Sequence, residues 1–185
     1  MYISKRNNSL EKLDIIKIGN RINRLRDGMG LLHPLSKEVL STVDLITNVK
    51  DRLYDKIPSS EIDDLLSRIC AGFNTKHPDF GVLASRIAIN NLHKETPNTF
   101  TQAMEQLYNN YNIHNVHSPI ISRELYDLSK KYGRQINQRI VHTLDYTLDY
   151  FGFMTLSKSY LLKSYNKTIE RPQYMWMRIA LAIHG

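Results

Sequence analysis

Four apolar stripes at helical spacing, separated by glycine and proline, constrain this chain more than any other feature. Ile15, Ile18, Ile22 and Leu25 form the first stripe; Gly28 and Gly30 end it, and Pro34 marks the loop. Ser36 is placed to cap a second helix carrying Val39, Val43, Ile46, Val49 and Leu53. A third helix carries Ile62, Leu65, Leu66, Ile69, Cys70 and Phe73, with Ser60 and Asp63 at the spacing of a capping box in which Asp replaces the usual Glu. Pro78-Asp79 opens a fourth, with Leu83, Ile87 and either Ala84/Ala88 or Leu92 inward. It runs to about His93-Lys94, and Pro97 forbids much continuation. None of these helices is apolar all round, so the stripes must be buried against one another and against a sheet.

The sheet is expected at the start. Met1 to Arg6 and Leu10 to Leu13 flank Asn7-Asn8-Ser9, and asparagine tolerates positive φ better than most residues, which suits a tight hairpin turn. A third short strand is expected near Lys56-Ile57, where Pro58 restricts it to an edge or a strand end. Residues 1–95 therefore read as a hairpin followed by four amphipathic helices. After residue 96 the texture changes. Phe100 to Tyr111 and residues 120–132 read as helices, with a loop from Asn112 to Pro119. Thr143 to Phe153 is rich in aromatics, Lys167 to Glu170 suits a short strand, and Pro172 opens a helix to about His184. The chain stops at Gly185 without a polar tail, which reads as a cut in a longer protein.

Composition narrows the class. A chain of 185 residues accommodates one ordinary domain, or a small domain plus a piece of another. No apolar run approaches the roughly 20 residues of a membrane span, and Met1 to Arg6 is too polar for a secretory signal. A single cysteine rules out an internal disulfide framework and points to a reducing, cytoplasmic setting. The formal charge of +7 suggests phosphate-bearing partners. The basic residues are scattered, with Lys5-Arg6 and Lys130-Lys131 the adjacent Lys/Arg pairs, so nucleic acid is not the expected partner, and no membrane is.

Few residues suggest chemistry. Cys70 falls on an apolar helix face and reads as a small buried hydrophobe. His114 and His117 stand three apart beside a loop but lack a third ligand at recognisable spacing, so no metal site is expected. Leu144-Asp145-Tyr146 and Leu148-Asp149-Tyr150 repeat one helical turn apart and read as core packing with satisfied hydroxyls. Lys5, Arg6, His93 and Lys94 are the notable cations, although His93-Lys94 also suits a helix C-terminus and Lys5-Arg6 a solvated strand. Neither common phosphate-cradling glycine loop is present. A nucleotide would have to be held by separate cations that folding brings together.

Several blocks carry a resemblance that runs through all 185 residues in order. Lys5-Arg6-Asn7-Asn8 followed by Glu11 to Lys17 resembles the opening of an ATP-cone, in which K-R-D-G precedes E…K. Thr75 to Phe80, Leu83 to Ala88, Asn91 to Thr96, Asp149 to Phe153, Ser159 to Lys163 and Glu170 to Gln173 resemble the eukaryotic-type large subunit of class I ribonucleoside-diphosphate reductase. The resemblance implies a mainly α fold with a small β-sheet. Residues 1–95 would be an ATP-cone, a four-helix bundle capped by a three-stranded sheet. Residues 96–185 would be a mostly helical lead-in to the reductase α/β barrel.

It further implies an overall activity site where ATP switches the enzyme on and dATP switches it off, with Mg2+ accompanying the effector. Lys5, Arg6 and the stretch Glu11, Lys12, Leu13, Asp14, Ile15, Ile16 and Lys17 would build the adenine pocket and part of the phosphate site. Ser59 stands where the family has a threonine, Asp63 matches the acid tied to telling ATP from dATP, and Lys94 matches the phosphate-binding lysine. Ile16 replaces a frequent acid and bears on dATP inhibition. The implied partners are the remainder of the large subunit, the radical-generating small subunit, and further copies joined through the ATP-cone. No catalytic residue is expected here, because the chemistry needs three cysteines and the family's lie beyond the matching end. Two other readings fit parts of the pattern. A free-standing ATP-cone regulator would need a four-cysteine zinc ribbon, and a helical interaction module would need no ligand.

Overall fold

The computed structural model describes residues 1–28, 32–37 and 42–184, so the expectations for Gly30, Val39 and Gly185 lie outside the described residues. Two compact units divide the chain: Met1–Asn91 with Tyr146–Phe151, and Leu92–Asp145 with the stretch from Gly152 onward.

The first unit opens with the hairpin. Strand β1 (Tyr2–Ser4) pairs antiparallel with β2 (Leu10–Lys12), Ile3 opposite Glu11. Asn8 closes the turn at φ 63°, a left-handed conformation that asparagine tolerates, while the Asn7 side chain accepts from the Ser9 backbone N–H at 3.1 Å. Strand β3 (Ile57–Pro58) adds parallel to β1, giving the order β2-β1-β3. Its proline sits at an edge, where a missing N–H leaves no ladder bond broken.

Helix α1 (Ile15–Arg26) starts where the Asp14 carboxylate accepts the Ile16 and Lys17 amides. It ends before Gly28, whose φ of 90° is a conformation open to glycine. The described part of α2 spans Thr42–Lys50, so Leu53 falls past its end. The cap expected from Ser36 would reach residues 38–39, outside the described ones; the Ser36 backbone N–H donates to Asp79 at 2.8 Å. Helix α3 (Ser59–Gly72) follows β3 without a break. It begins two residues earlier than a Ser60 cap requires, so Pro58 takes the cap position and no capping box forms.

Helix α4 (Pro78–Glu95) completes the bundle. Ile22, Leu25, Leu45, Val49, Ile57, Ile62, Leu66, Cys70, Leu83 and Ile87 form one core, the expected stripes facing inward. Burial pushes the Cys70 thiol up to about 12, which keeps it protonated and inert. Arg86 is buried, and among the described residues its hydrogen bonds go to backbone carbonyls. It donates to the Leu25 carbonyl at 2.8 Å and the His33 carbonyl at 2.7 Å, fastening the end of α1 to the following loop. Tyr146 is buried in this unit with its hydroxyl 3.2 Å from the Asn90 amide, and Ser85 donates to the Leu148 carbonyl.

The second unit is helical with one small hairpin: α5 (Phe100–Tyr108), α6 (Arg123–Lys131), α7 (Gly133–Arg139), α8 (Tyr150–Ser159, from Gly152), β4 (Lys163–Ser164), β5 (Lys167–Thr168) and α9 (Pro172–His184). Phe100, Met104, Leu107, Leu125, Ile136 and Tyr174 form its core. A Cβ on Gly133 would sit 2.7 Å from the Thr101 methyl, so glycine permits the close approach of α7 to α5. Among the described residues, no helix is long and apolar enough to cross a membrane.

Candidate functional site

The first unit contains a cleft where the hairpin meets the starts of α1 and α3. Ile3, Leu13, Ile18 and Ile62 give it apolar walls; Lys5, Glu11, Asp14, Lys17, Arg21 and Ser59 supply polar groups. Its enclosed volume is about 80 Å3, opening to solvent. Strand alternation sends Lys5 and Glu11 to the same rim, and the helical spacing of Lys17 and Arg21, four apart, puts both on one face of α1. Ser59 lines the cleft because β3 runs straight into α3. The first-turn amides of α3 carry no side-chain cap, and uncapped helix amides attract anions.

Four cations share two carboxylates here. Lys5 Nζ lies 2.6 Å from Glu11 Oε2, and Lys17 pairs with Glu11 Oε1. Lys17 first and Lys5 second hold the Glu11 carboxyl down at about 2, against an ordinary 4.5. Glu11 in turn raises Lys17. Asp63, 1% exposed, is gripped from two sides: Arg21 at Oδ1 and Arg6, from the hairpin turn, 3.5 Å from Oδ2. Burial pulls the Arg21 pKa down, and the Asp63 charge opposes that fall. Arg6 also donates to the Asn91 side chain on α4. Asn91 passes the connection on, donating to Asp64 at 2.8 Å and to the Ser60 carbonyl at 3.2 Å. Burial raises the Asp64 pKa. With Asp14, which also lines the cleft, four positive charges stand against three negative ones, a small cationic excess.

The expected residues fall into three groups. Lys5, Glu11, Leu13, Asp14, Lys17 and Ser59 line the cleft, and Arg6 and Asp63 stand beside it through Arg21. Lys12, Ile15 and Ile16 are not among its lining residues; Ile16 is 73% exposed at the start of α1. Lys94 is exposed on α4, three residues past the Asn91 that meets Arg6. Arg21, Asn91 and Asp64 were not expected from sequence. The spacing of Lys17 and Arg21 was the one available signal for the first. Among the described residues, no group of three or more His, Cys, Asp or Glu side chains is placed to hold a metal ion.

Comparison with known families matches residues 1–95 to the ATP cone domain and residues 146–185 to the ribonucleotide reductase all-alpha domain. The chain is similar to curated proteins named ribonucleoside-diphosphate reductase large subunit. It is 42% identical to that of Monkeypox virus over 185 residues and 38% identical to that of Danio rerio over 185 residues. The large chain of Schizosaccharomyces pombe is 37% identical over 186 residues. Each alignment takes in 100% of this chain but 22–23% of the relative, so the chain spans less than a quarter of the curated relatives it matches.

Proposed function

Because the chain belongs to the ATP cone domain family, we propose that the cleft of its first unit binds ATP and dATP and makes this chain the allosteric sensor of a ribonucleoside-diphosphate reductase large subunit. The observation that carries the reading is the convergence of Lys5, Lys17, Arg21 and Arg6, from hairpin and helix, around one cleft without any glycine-rich loop. A triphosphate is the ligand such a cluster suits, each charge-assisted hydrogen bond contributing about 1.5–3 kcal/mol. Glu11 would accept from the adenine amino group, Ser59 and the α3 amides would meet sugar or phosphate, and Asp63 would bear on the choice between ATP and dATP. A divalent cation would arrive with the phosphates.

The mechanism is coupling. Two effectors in one site bias different assemblies, each coupling typically about 1–3 kcal/mol. We assign residues 1–95 to the sensor domain and residues 96–185 to the lead-in of the catalytic domain, whose cysteines, substrate site and radical-generating partner subunit lie outside this chain. Assembly through the sensor domain and a cytoplasmic setting complete the reading. The exposed Ile16, in place of an acid, bears on the strength of dATP inhibition.

Lys94 is the residue to test, as the match to the family's phosphate-binding lysine. Calorimetry on the full chain is expected to show Lys94→Ala weakening ATP and dATP alike, by roughly 10- to 100-fold. Unchanged affinity for both would remove Lys94 from the site.

A further inference from the structure

We propose that Glu11 is an internal counter-ion that a polyphosphate must displace, and that this exchange makes recognition of base and phosphates at the cleft interdependent. The inference rests on the nucleotide-site reading and adds to it the order of dependence between the two halves of the ligand.

Both Glu11 oxygens are occupied, one by Lys5 and the other by Lys17, and all three side chains line the same cleft. The lysines that suit a phosphate chain are therefore already engaged. An incoming polyphosphate competes with the carboxylate for the same ammonium groups. Bare triphosphate takes the lysines and leaves Glu11, an acceptor-only group, with water alone as its donor. Adenine repairs that loss, since its exocyclic amino group donates. Guanine presents a carbonyl oxygen at the equivalent position and would face a second acceptor. One ligand carrying both an amino-bearing base and a phosphate chain satisfies every group the exchange disturbs.

Asp63 behaves differently because of where it sits. Its side chain is 2% exposed and its two guanidiniums come from separate elements. Full release would strand a buried charge. Glu11, with a side chain 32% exposed, can change partners near water. The depressed Glu11 pKa keeps it ionised, and so competing, throughout the neutral range.

The test titrates the full 185-residue chain and Glu11→Gln with sodium tripolyphosphate, ATP and GTP by calorimetry. The substitution keeps the side-chain shape and removes the charge. Glu11→Gln is expected to bind tripolyphosphate roughly two- to fivefold tighter than wild type, the range in which an exposed ion pair competes. Its preference for ATP over GTP is expected to shrink, since an amide both donates and accepts. Tripolyphosphate affinity that is unchanged or weaker would overturn the exchange, even with ATP bound normally. Tighter tripolyphosphate binding with an undiminished ATP preference would overturn the interdependence. A wild-type chain that binds neither ATP nor tripolyphosphate would remove the nucleotide-site reading itself.

Discussion

Asp63→Ala is expected to destabilise the first unit by about 3–5 kcal/mol, the range for removing one partner of a buried ion pair. Asp63 is almost wholly inaccessible and holds two guanidiniums, Arg6 from the hairpin turn and Arg21 from α1. Without it the two cations face each other with no anion between them. Arg21 fares worst: burial already works against its charge, the nearby Arg6 adds to that, and only Asp63 offsets both. A chain of two units need not unfold in one step, so the appropriate measurement is hydrogen exchange of the α1 and α3 amides alongside denaturant unfolding. Protection in both helices is expected to fall together. A loss below about 1 kcal/mol would mean that the cluster behaves like exposed ion pairs. Asp63→Asn, which keeps the acceptor but not the charge, is expected to fall between the two.

Arg171→Ala is expected to destabilise the second unit by about 1–3 kcal/mol, the cost of leaving buried acceptors without a donor. Arg171 is 4% exposed and uses its whole fork. Nε donates to Thr96 Oγ1 at 2.8 Å, while Nη2 reaches the His93 carbonyl at 2.9 Å, the Thr96 carbonyl at 3.2 Å and Asn98 Oδ1 at 3.1 Å. The carbonyls are those left unpaired where α4 ends, the place where a cation helps most. The guanidinium also lies 5.5 Å from the Tyr174 ring centre, against which truncation would open a gap. Nearby, His93 and Asp145 pair at 2.7 Å, and Asp145 accepts the Gln173 amide, so a second set of bonds joins the start of α9 to the end of α4. Fluorescence of Trp176, on α9 in the same unit, reports the unfolding. Arg171→Lys keeps charge but not the planar fork and is expected to recover only part of the loss. A midpoint equal to wild type in Arg171→Ala would show that water replaces the fork without penalty.

Much of the first unit was legible because its residues act locally. The stripe Ile18, Ile22 and Leu25, the Asn7-Asn8 turn and Pro58 at a strand edge each depend on neighbours within a few positions. What the sequence concealed depends on partners far along the chain. Arg21 stands in a run of arginines and asparagines, and only folding shows that it meets Asp63. Asn91 joins Arg6 to Asp64 across three separate elements. Ser60 and Asp63 matched a capping pattern, yet the helix begins at Ser59 and Asp63 serves the arginines instead. In the second unit, α7 has a glycine at its first position and one buried apolar side chain, Ile136, so no stripe announces it. Thr143 to Phe153 reads only as rich in aromatics, yet Tyr150 to Phe153 open the helix α8, with Phe153 inward.

The central claim is that the cleft between the hairpin, α1 and α3 is where the nucleotide binds. Amide NMR spectra of the isotope-labelled full chain, recorded with and without ATP, test it most directly. The expected shifts centre on Lys5 to Lys17, Arg21 and Ser59 to Asp63, and adding excess dATP should compete at the same amides. Saturable shifts elsewhere, for example around the amide-lined groove of Glu105, Asn109, Asn110 and Tyr165, with the hairpin and α3 unmoved, would contradict it.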